Sequence, residues 1–322
     1  MPRKMNLAAL DLGSNSFHLL VARASGSGAL TKLGSHKSVL RLGGVVQQHG
    51  RLTPNAFEQA LEAVGQMAEV ARAFRAERTV AVGTSALRDA SNGPEFCRAA
   101  LLRHRVSVEL ISGMEEGELV YRGARSAFSG SAKRVAVIDV GGGSVEIAVG
   151  DGDTCDMVES LPLGFLRLSA LVGAGSVELK ARAVTERVRA GSSEVGKRLA
   201  ALRPEAWVLS GGTARALGKL LIAGPGGVAA AKMQHVAGEL SRAKPERLAE
   251  LGVDESRTDT LGLGAAVVGA LVEQFGLSTL HISSGGLREG VLLRELARAR
   301  AAGSSGVNVR DVQLASAPAW CL

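Results

Sequence analysis

Residues 135–146 read VAVIDVGGGSVE. The opening apolar run, rich in β-branched residues, has the composition of a buried strand. It ends on Asp139, and Gly141, Gly142 and Gly143 follow, a backbone with few steric limits on φ. Such a turn lets N–H groups approach an anion closely, and a neighbouring carboxylate can hold a divalent cation. The stretch therefore reads as a phosphate and Mg²⁺ turn, with Ser144 and Glu146 just beyond it. Taken alone, it reads equally well as a glycine-rich β-hairpin.

A second copy shifts that balance. Residues 7–22 read LAALDLGSNSFHLLVA, and residues 135–150 read VAVIDVGGGSVEIAVG. Asp11 matches Asp139, Gly13 matches Gly141, Ser16 matches Ser144, and His18 falls where Glu146 stands. Ser14 and Asn15 occupy the positions of Gly142 and Gly143. Two strand–turn–strand units, each opening one half of the chain, point to duplicated lobes facing one another. A phosphate chain held between two such turns is the expected ligand.

At 322 residues the chain has the length of two domains, and 46% apolar with 21% charged residues is a globular composition. Aromatic residues are only 3%, so Ala, Val and Leu must build the cores. That scarcity argues against base-stacking recognition of single-stranded nucleic acid. The net charge of +7 is concentrated early, with 16 basic against 11 acidic residues up to Gly130 and 22 against 20 beyond it. This suits a lobe that meets a polyanion, and it equally suits an Arg-rich composition with solvated charges. Cys97, Cys155 and Cys321 are widely spaced and odd in number, which gives neither a disulfide framework nor a metal spacing and fits a reducing cytosol. The N-terminal basic-then-apolar stretch is too short for a signal peptide. The longest apolar stretch, Leu261 to Val272, is too short for a membrane span and reads as a buried helix.

In chain order, residues 32–42 read as a strand carrying Lys32, Lys37 and Arg41. Thr53-Pro54 opens a helix, with Thr as N-cap and Pro at the first helical position. Phe57, Leu61, Val64, Met67, Ala68 and Ala71 follow a helical period. A strand over 79–82 runs into Gly83-Thr84-Ser85-Ala86-Leu87-Arg88, just past a strand end, where open α/β sheets gather ligands. Arg88 there reads as a phosphate clamp or as half of a surface ion pair. A strand over 106–111 leads into SGMEEGELVYRGA. Ser112 and Glu115 have capping-box spacing, which leaves Glu116 to project at another angle. An ionised carboxylate at a helix start is favoured by the dipole and can deprotonate water, although acids at helix starts are common. The second half repeats the plan: a break at 161–164, helices to about 202, a strand over 207–209, and the turn Ser210-Gly211-Gly212-Thr213 before a helix. A loop over 224–229, an apolar helix over 257–272, a last strand over 280–284 and a charged helix to about 300 complete it. Residues 301–322 have no strong period and read as a partly disordered tail.

Together, DLGSNSFHLL (11–20), GTSALRDA (83–90), ISGMEEGELVYRGA (111–124), DVGGGSVE (139–146), LPLG (161–164), SGGT (210–213) and GGLREG (285–290) resemble the exopolyphosphatase/guanosine pentaphosphate phosphohydrolase (Ppx/GppA) family. The resemblance runs in order from about Leu7 to Arg300. It implies an α/β fold of two actin-like lobes, in the ribonuclease H-like superfamily of sugar kinases and Hsp70 ATPases, each with a mixed five-stranded sheet and an active-site cleft between them. The expected division is 1–128, 129–303 and a tail over 304–322.

By the resemblance, Glu116 is the water-activating base and Arg88 a cleft arginine, and Asp139 and Glu146 are acids of Mg²⁺ binding and catalysis. Asp11 joins them as a metal ligand, with Mg²⁺ or Mn²⁺ as the cofactor. Ser14, Asn15, Ser16, Gly141, Gly142, Gly143, Ser144, Ser210, Gly211, Gly212, Thr213 and Arg288 are implied substrate contacts. The implied reaction is release of terminal orthophosphate from inorganic polyphosphate by in-line attack of a Glu116-activated water. Guanosine pentaphosphate hydrolysis would use the same site and is the alternative. A kinase of the same fold would need a catalytic Asp in a sugar or acid pocket, and a non-catalytic polyphosphate or alarmone binder would not need the base. The family further implies a cytoplasmic enzyme without nucleic-acid or membrane partners, a homodimer because members often pair, and a short two-domain form because longer members carry C-terminal extensions.

Overall fold

The computed structural model describes residues 4–25, 29–173, 175–224 and 226–304. The chain divides into two compact units, one of residues up to Ser112 together with Arg288 onward, the other Gly113–Leu287. This differs from the expected boundary at 128/129: the helix that carries Glu116 belongs with the second unit. The expected tail lies outside the described residues apart from its first position.

In the first unit β1 (Met5–Leu12), β2 (Ser16–Ala24) and β3 (Leu30–Val39) are followed by α1 (Leu42–His49) and α2 (Pro54–Ala73). Then come β4 (Arg78–Gly83), α3 (Ser85–Asp89), α4 (Gly93–His104) and β5 (Val108–Leu110). The sheet order is β3-β2-β1-β4-β5. The hairpin strands β1, β2 and β3 pair antiparallel, while β4 and β5 add in parallel. α2 forms as the period requires: the Thr53 hydroxyl accepts from the Ala56 amide at 3.4 Å, and Leu61, Val64, Met67, Ala68 and Ala71 are all buried. With so few aromatics, Phe96 does much of the filling, edge-on to Phe57 at 5.5 Å and to Phe17 at 6.4 Å.

The strand read over 32–42 stops at Val39. The amides of Leu40 and Arg41 donate to the Asn15 carbonyl, and Arg41 takes a left-handed φ of 53°, which turns the chain out of the sheet into α1. Gly43 and Gly44 in its first turn hide that helix from a propensity reading.

The second unit opens with α5 (Gly113–Ser126) and continues through β6 (Arg134–Val140), β7 (Val145–Asp151) and β8 (Thr154–Leu161). Helices α6 (Phe165–Val172) and α7 (Val177–Leu202) precede β9 (Ala206–Ser210) and α8 (Gly211–Leu220). The short β10 (Val228–Ala229), α9 (Ala230–Arg242), α10 (Pro245–Glu250), α11 (Thr258–Gln274) and β11 (Thr279–Ile282) complete it. The order β10-β11-β9-β6-β7-β8 repeats the first sheet, with β6, β7, β8, β9 and β11 in the places of β1, β2, β3, β4 and β5. β10 makes a sixth strand where five were expected, inside the stretch read as a loop. The apolar run at 261–272 is buried in α11, as its length indicated.

The last helix, α12 (Leu287–Ser304), belongs to the first unit from Arg288 on. Arg294 pairs with Glu109 on β5 at 2.6 Å, and the buried Glu295 holds Arg78 on β4 at 3.2 Å. Removing one partner of a pair this buried leaves an uncompensated charge, so these contacts fix α12 to its sheet. The fold class is therefore the expected one: α/β, with the same mixed-sheet plan laid down twice.

Candidate active site

Side chains directly opposite on paired strands share one face of a sheet. In the second unit Asp139 on β6 lies opposite Glu146 on β7, Glu146 opposite Ser160 on β8, and Asp139 beside Ser210 on β9. This makes a row, Ser210–Asp139–Glu146–Ser160, across four strands. Glu146 is 2% exposed and accepts from the Ser160 hydroxyl at 2.8 Å. Asp139 Oδ1 is closed to solvent and has no hydrogen-bond partner. Burial pushes the Asp139 carboxyl up to about 6, against the pull of Arg215.

Two close approaches build the rest. A β-carbon on Gly211 would sit 2.0 Å from Asp139 Oδ1, and Gly211 has φ of +86°, so only glycine lets the Ser210–Thr213 turn close over that carboxylate. A β-carbon on Gly117 would meet Val158 at 2.5 Å and lie 3.7 Å from Glu146 Cβ. The N-terminal half of α5 therefore lies directly on Glu146, and Glu116 precedes the contact residue in sequence. Of the two adjacent acids, Glu116 is buried and Glu115 exposed.

The glycine turn itself is braced by the segment that follows β8. Gly141 donates to the Ser144 carbonyl at 3.0 Å, while the amides of Phe165 and Leu166 take up the carbonyls of Gly141 and Gly142 at 3.2 and 2.9 Å. The Arg167 side chain donates to the Gly143 carbonyl at 2.9 Å. The first unit repeats the arrangement: Gly43 donates to the Ser14 carbonyl at 2.8 Å, and Arg41 to that of Asn15 at 2.9 Å. Each turn thus has its carbonyls drawn toward its own fold.

The remaining expected site residues fall as follows. Ser144 is buried at the end of its turn. Ser210 and Thr213 are buried too, but their hydroxyls are engaged within the unit, donating to the carbonyls of Gly285 at 3.2 Å and Val140 at 3.5 Å. Asp11, Ser14, Asn15, Ser16 and Arg88 lie in the first unit, as does Arg288 near the start of α12. Ser14 and Ser16 are buried, and Asn15 reaches the Ser16 hydroxyl at 3.3 Å while its own Oδ1 is buried and unpartnered. Arg88 donates to the Ile111 carbonyl at 2.8 Å, two residues before α5 begins. The row in the first unit reads Val82–Asp11–His18–Lys37.

Three residues escaped the sequence reading. Arg167 binds the turn, Arg215 acts on Asp139, and the Arg257 guanidinium lies against Gly212. Burial lowers the Arg257 pKa, and the Arg215 charge lowers it further. Only the PLG break before α6 hinted at Arg167. Arg215 and Arg257 are distant in sequence and carried no spacing signal.

Hard, acceptor-only oxygens suit Mg²⁺, which commonly takes one or two carboxylates and keeps waters or phosphate oxygens for its other positions. The unpartnered Asp139 Oδ1 and the opposed Glu146 fit that donor set. Among the described residues no cluster of three or more metal-ligating side chains occurs, so a fuller, all-protein cage is not present.

Comparison with known proteins gives the family. The Ppx/GppA phosphatase family matches residues 20–299. Exopolyphosphatase 1 of Mycobacterium leprae is 30% identical over 307 residues, covering 91% of this chain and 90% of that protein. A guanosine-5'-triphosphate,3'-diphosphate pyrophosphatase of Aeromonas hydrophila is 31% identical over 292 residues, 88% of this chain but only 58% of its own length. The crystal structure of the Aquifex aeolicus family member superposes with a TM-score of 0.77 at 26% identity, covering 92% of this chain and 99% of that one. From the two glycine turns, the acids they carry and these matches, it follows that the chain belongs to the Ppx/GppA phosphatase family.

Proposed function

We propose that the chain is a phosphoanhydride hydrolase that releases terminal orthophosphate from inorganic polyphosphate. The observation that carries this reading is the packing of α5 on Glu146 at Gly117, next in sequence to the buried Glu116, with Asp139 opposite Glu146 on the paired strand. Binding an anion does not require a buried carboxylate base; activating water does. Glu116 takes a proton from water, the water oxygen bonds to the terminal phosphorus in line, and the bridging P–O bond breaks with its electron pair on the shortened chain. The amides of Gly142, Gly143 and Ser144 donate to phosphate oxygens, and so do those at the start of α8, whose Ser210 and Thr213 hydroxyls are already engaged. Arg88, Arg288 and the turn Ser14-Asn15-Ser16 hold further phosphates of the chain. Asp139 and Glu146, opposite one another in the second unit, would hold Mg²⁺ or Mn²⁺, which would supply charge neutralisation on the phosphoryl oxygens. Positioning and electrostatics provide most of the acceleration in such a transfer.

Two relatives support the two substrate readings. The Mycobacterium leprae exopolyphosphatase is matched over nearly its whole length and favours polyphosphate. The Aeromonas protein supports guanosine pentaphosphate as the second reading, although the chain spans only 58% of it. The cytoplasmic setting and the homodimer belong to the same proposal and rest on the family resemblance; no helix of the described residues is long and apolar enough to cross a membrane. The test is orthophosphate release with Mg²⁺ from short polyphosphate, long polyphosphate and guanosine pentaphosphate, with Glu116→Gln alongside. Release from polyphosphate that collapses in the variant is the expected result. Preference for the nucleotide selects the second reading, and no release from any of the three ends the hydrolase proposal.

A further inference from the structure

Nothing in the resemblance or in the chain's spacing marks Ser160. It is the next-to-last residue of the edge strand β8, directly before the LPLG break. Yet it is the outer member of the row that holds the acids. Its hydroxyl donates to Glu146 Oε1 at 2.8 Å, across the register pair Glu146–Ser160. From the other side Gly117 brings the α5 backbone down on the Cβ and Cγ of the same glutamate. Glu146 is 2% exposed, so water does little to orient it. A carboxylate can rotate about its terminal torsion, a broad and soft coordinate, unless a partner fixes it.

We propose that Ser160 is the positioning residue of Glu146. Its hydroxyl occupies one carboxylate oxygen and sets the carboxylate plane, so that the other oxygen is presented in a fixed direction. A hydrogen bond to a carboxylate is short and charge-assisted, and outer partners of this kind orient the acids that bind metal or substrate. The first unit bears out the specificity of the arrangement: the residue equivalent to Ser160 is Lys37, opposite His18 rather than an acid. A hydroxyl appears where a carboxylate must be aimed, and a cation where the row has another task.

This inference rests on the hydrolase reading of the same acids, and its test separates the two. Ser160→Ala and Ser160→Thr are compared with the wild type for kcat and KM on polyphosphate, Mn²⁺ affinity by calorimetry, and thermal unfolding. Loss of an outer hydrogen bond of this kind lowers activity or metal affinity by roughly 10- to 100-fold. Ser160→Ala is expected to lose kcat by about 10-fold with KM and the unfolding temperature little changed, and to weaken Mn²⁺ binding by a similar factor. Ser160→Thr, which keeps the hydroxyl, is expected to restore most of both. Wild-type kcat and Mn²⁺ affinity in Ser160→Ala would overturn the proposal. So would equal losses in both variants together with a lowered unfolding temperature, the mark of a packing role. If the wild type releases no orthophosphate, the hydrolase reading fails by itself, and the Mn²⁺ affinities then decide the role of Ser160.

Discussion

The two units lay the same strands down in the same order, yet the rows that cross them at the glycine turns differ in charge. One reads Ser210–Asp139–Glu146–Ser160, the other Val82–Asp11–His18–Lys37. An aspartate ends the first strand of each, so the turn geometry is common. The next two strands carry an acid and its hydroxyl partner in one unit, and two nitrogen bases in the other. α5 further loads the acidic row, because Gly117 seats it on Glu146 and leaves Glu116 buried beside that contact. Duplication supplies the frame, and the rows differ at the two register positions beyond the shared aspartate; on the hydrolase proposal the acidic row takes metal holding and the basic row anion holding.

The strongest way to break this comparison is at α5. Glu116→Gln keeps size and packing but removes the base, and turnover is expected to fall by about 10³-fold. Glu115→Gln, one residue away and exposed, is expected to keep near wild-type activity. Equal losses in the two variants would deny the buried acid its special place.

A smaller but still large effect is expected at Gly211. A β-carbon there would lie 2.0 Å from Asp139 Oδ1, at a φ of +86°. Gly211→Ala must displace the turn or the carboxylate, and a loss of about 2 kcal/mol of stability together with about 100-fold in kcat is expected. Chemical denaturation and steady-state assays check it. An alanine variant with native stability and rate would mean that Asp139 is not held as described.

The mildest test is a titration of the metal-free protein. Burial raises Asp139 from 3.8 to about 6, so the folded state binds this proton more tightly than the unfolded chain. The contribution to stability therefore falls as pH rises from 3.8 to about 6, and the full cost remains above that window. At about 1.4 kcal/mol per pH unit, that cost is at most about 3 kcal/mol. Asp139→Asn is expected to be more stable than the wild type at pH 7.5 by about 1–3 kcal/mol, with the gap closing toward pH 4. A gap that does not narrow on acidification would show that Asp139 is not buried as a charge.

Much of this was legible in the chain. The paired DLGSNS and DVGGGS turns revealed the duplication, and the His18–Glu146 difference could be read before any strand was placed. Thr53-Pro54 and its apolar period gave α2 closely, because local caps and periodicity decide an amphipathic helix. What stayed hidden depends on contacts between distant segments. Nothing local says that α5 packs on β7 and β8, so the unit boundary was read after that helix instead of before it. α1 was missed because two glycines open it and an Asn15 carbonyl, not a propensity, sets its start. Arg167, Arg215, Arg257 and Ser160 reach the site only through the fold.

The most direct measurement of the central claim is the steady-state kinetics of orthophosphate release from polyphosphate by Glu146→Gln and His18→Gln, side by side with the wild type. Division of labour between the rows requires Glu146→Gln to lose kcat with KM nearly unchanged, and His18→Gln to raise KM with kcat nearly unchanged. If both variants alter the same parameter, or if the pattern is reversed, the two rows do not divide the reaction as their charges indicate.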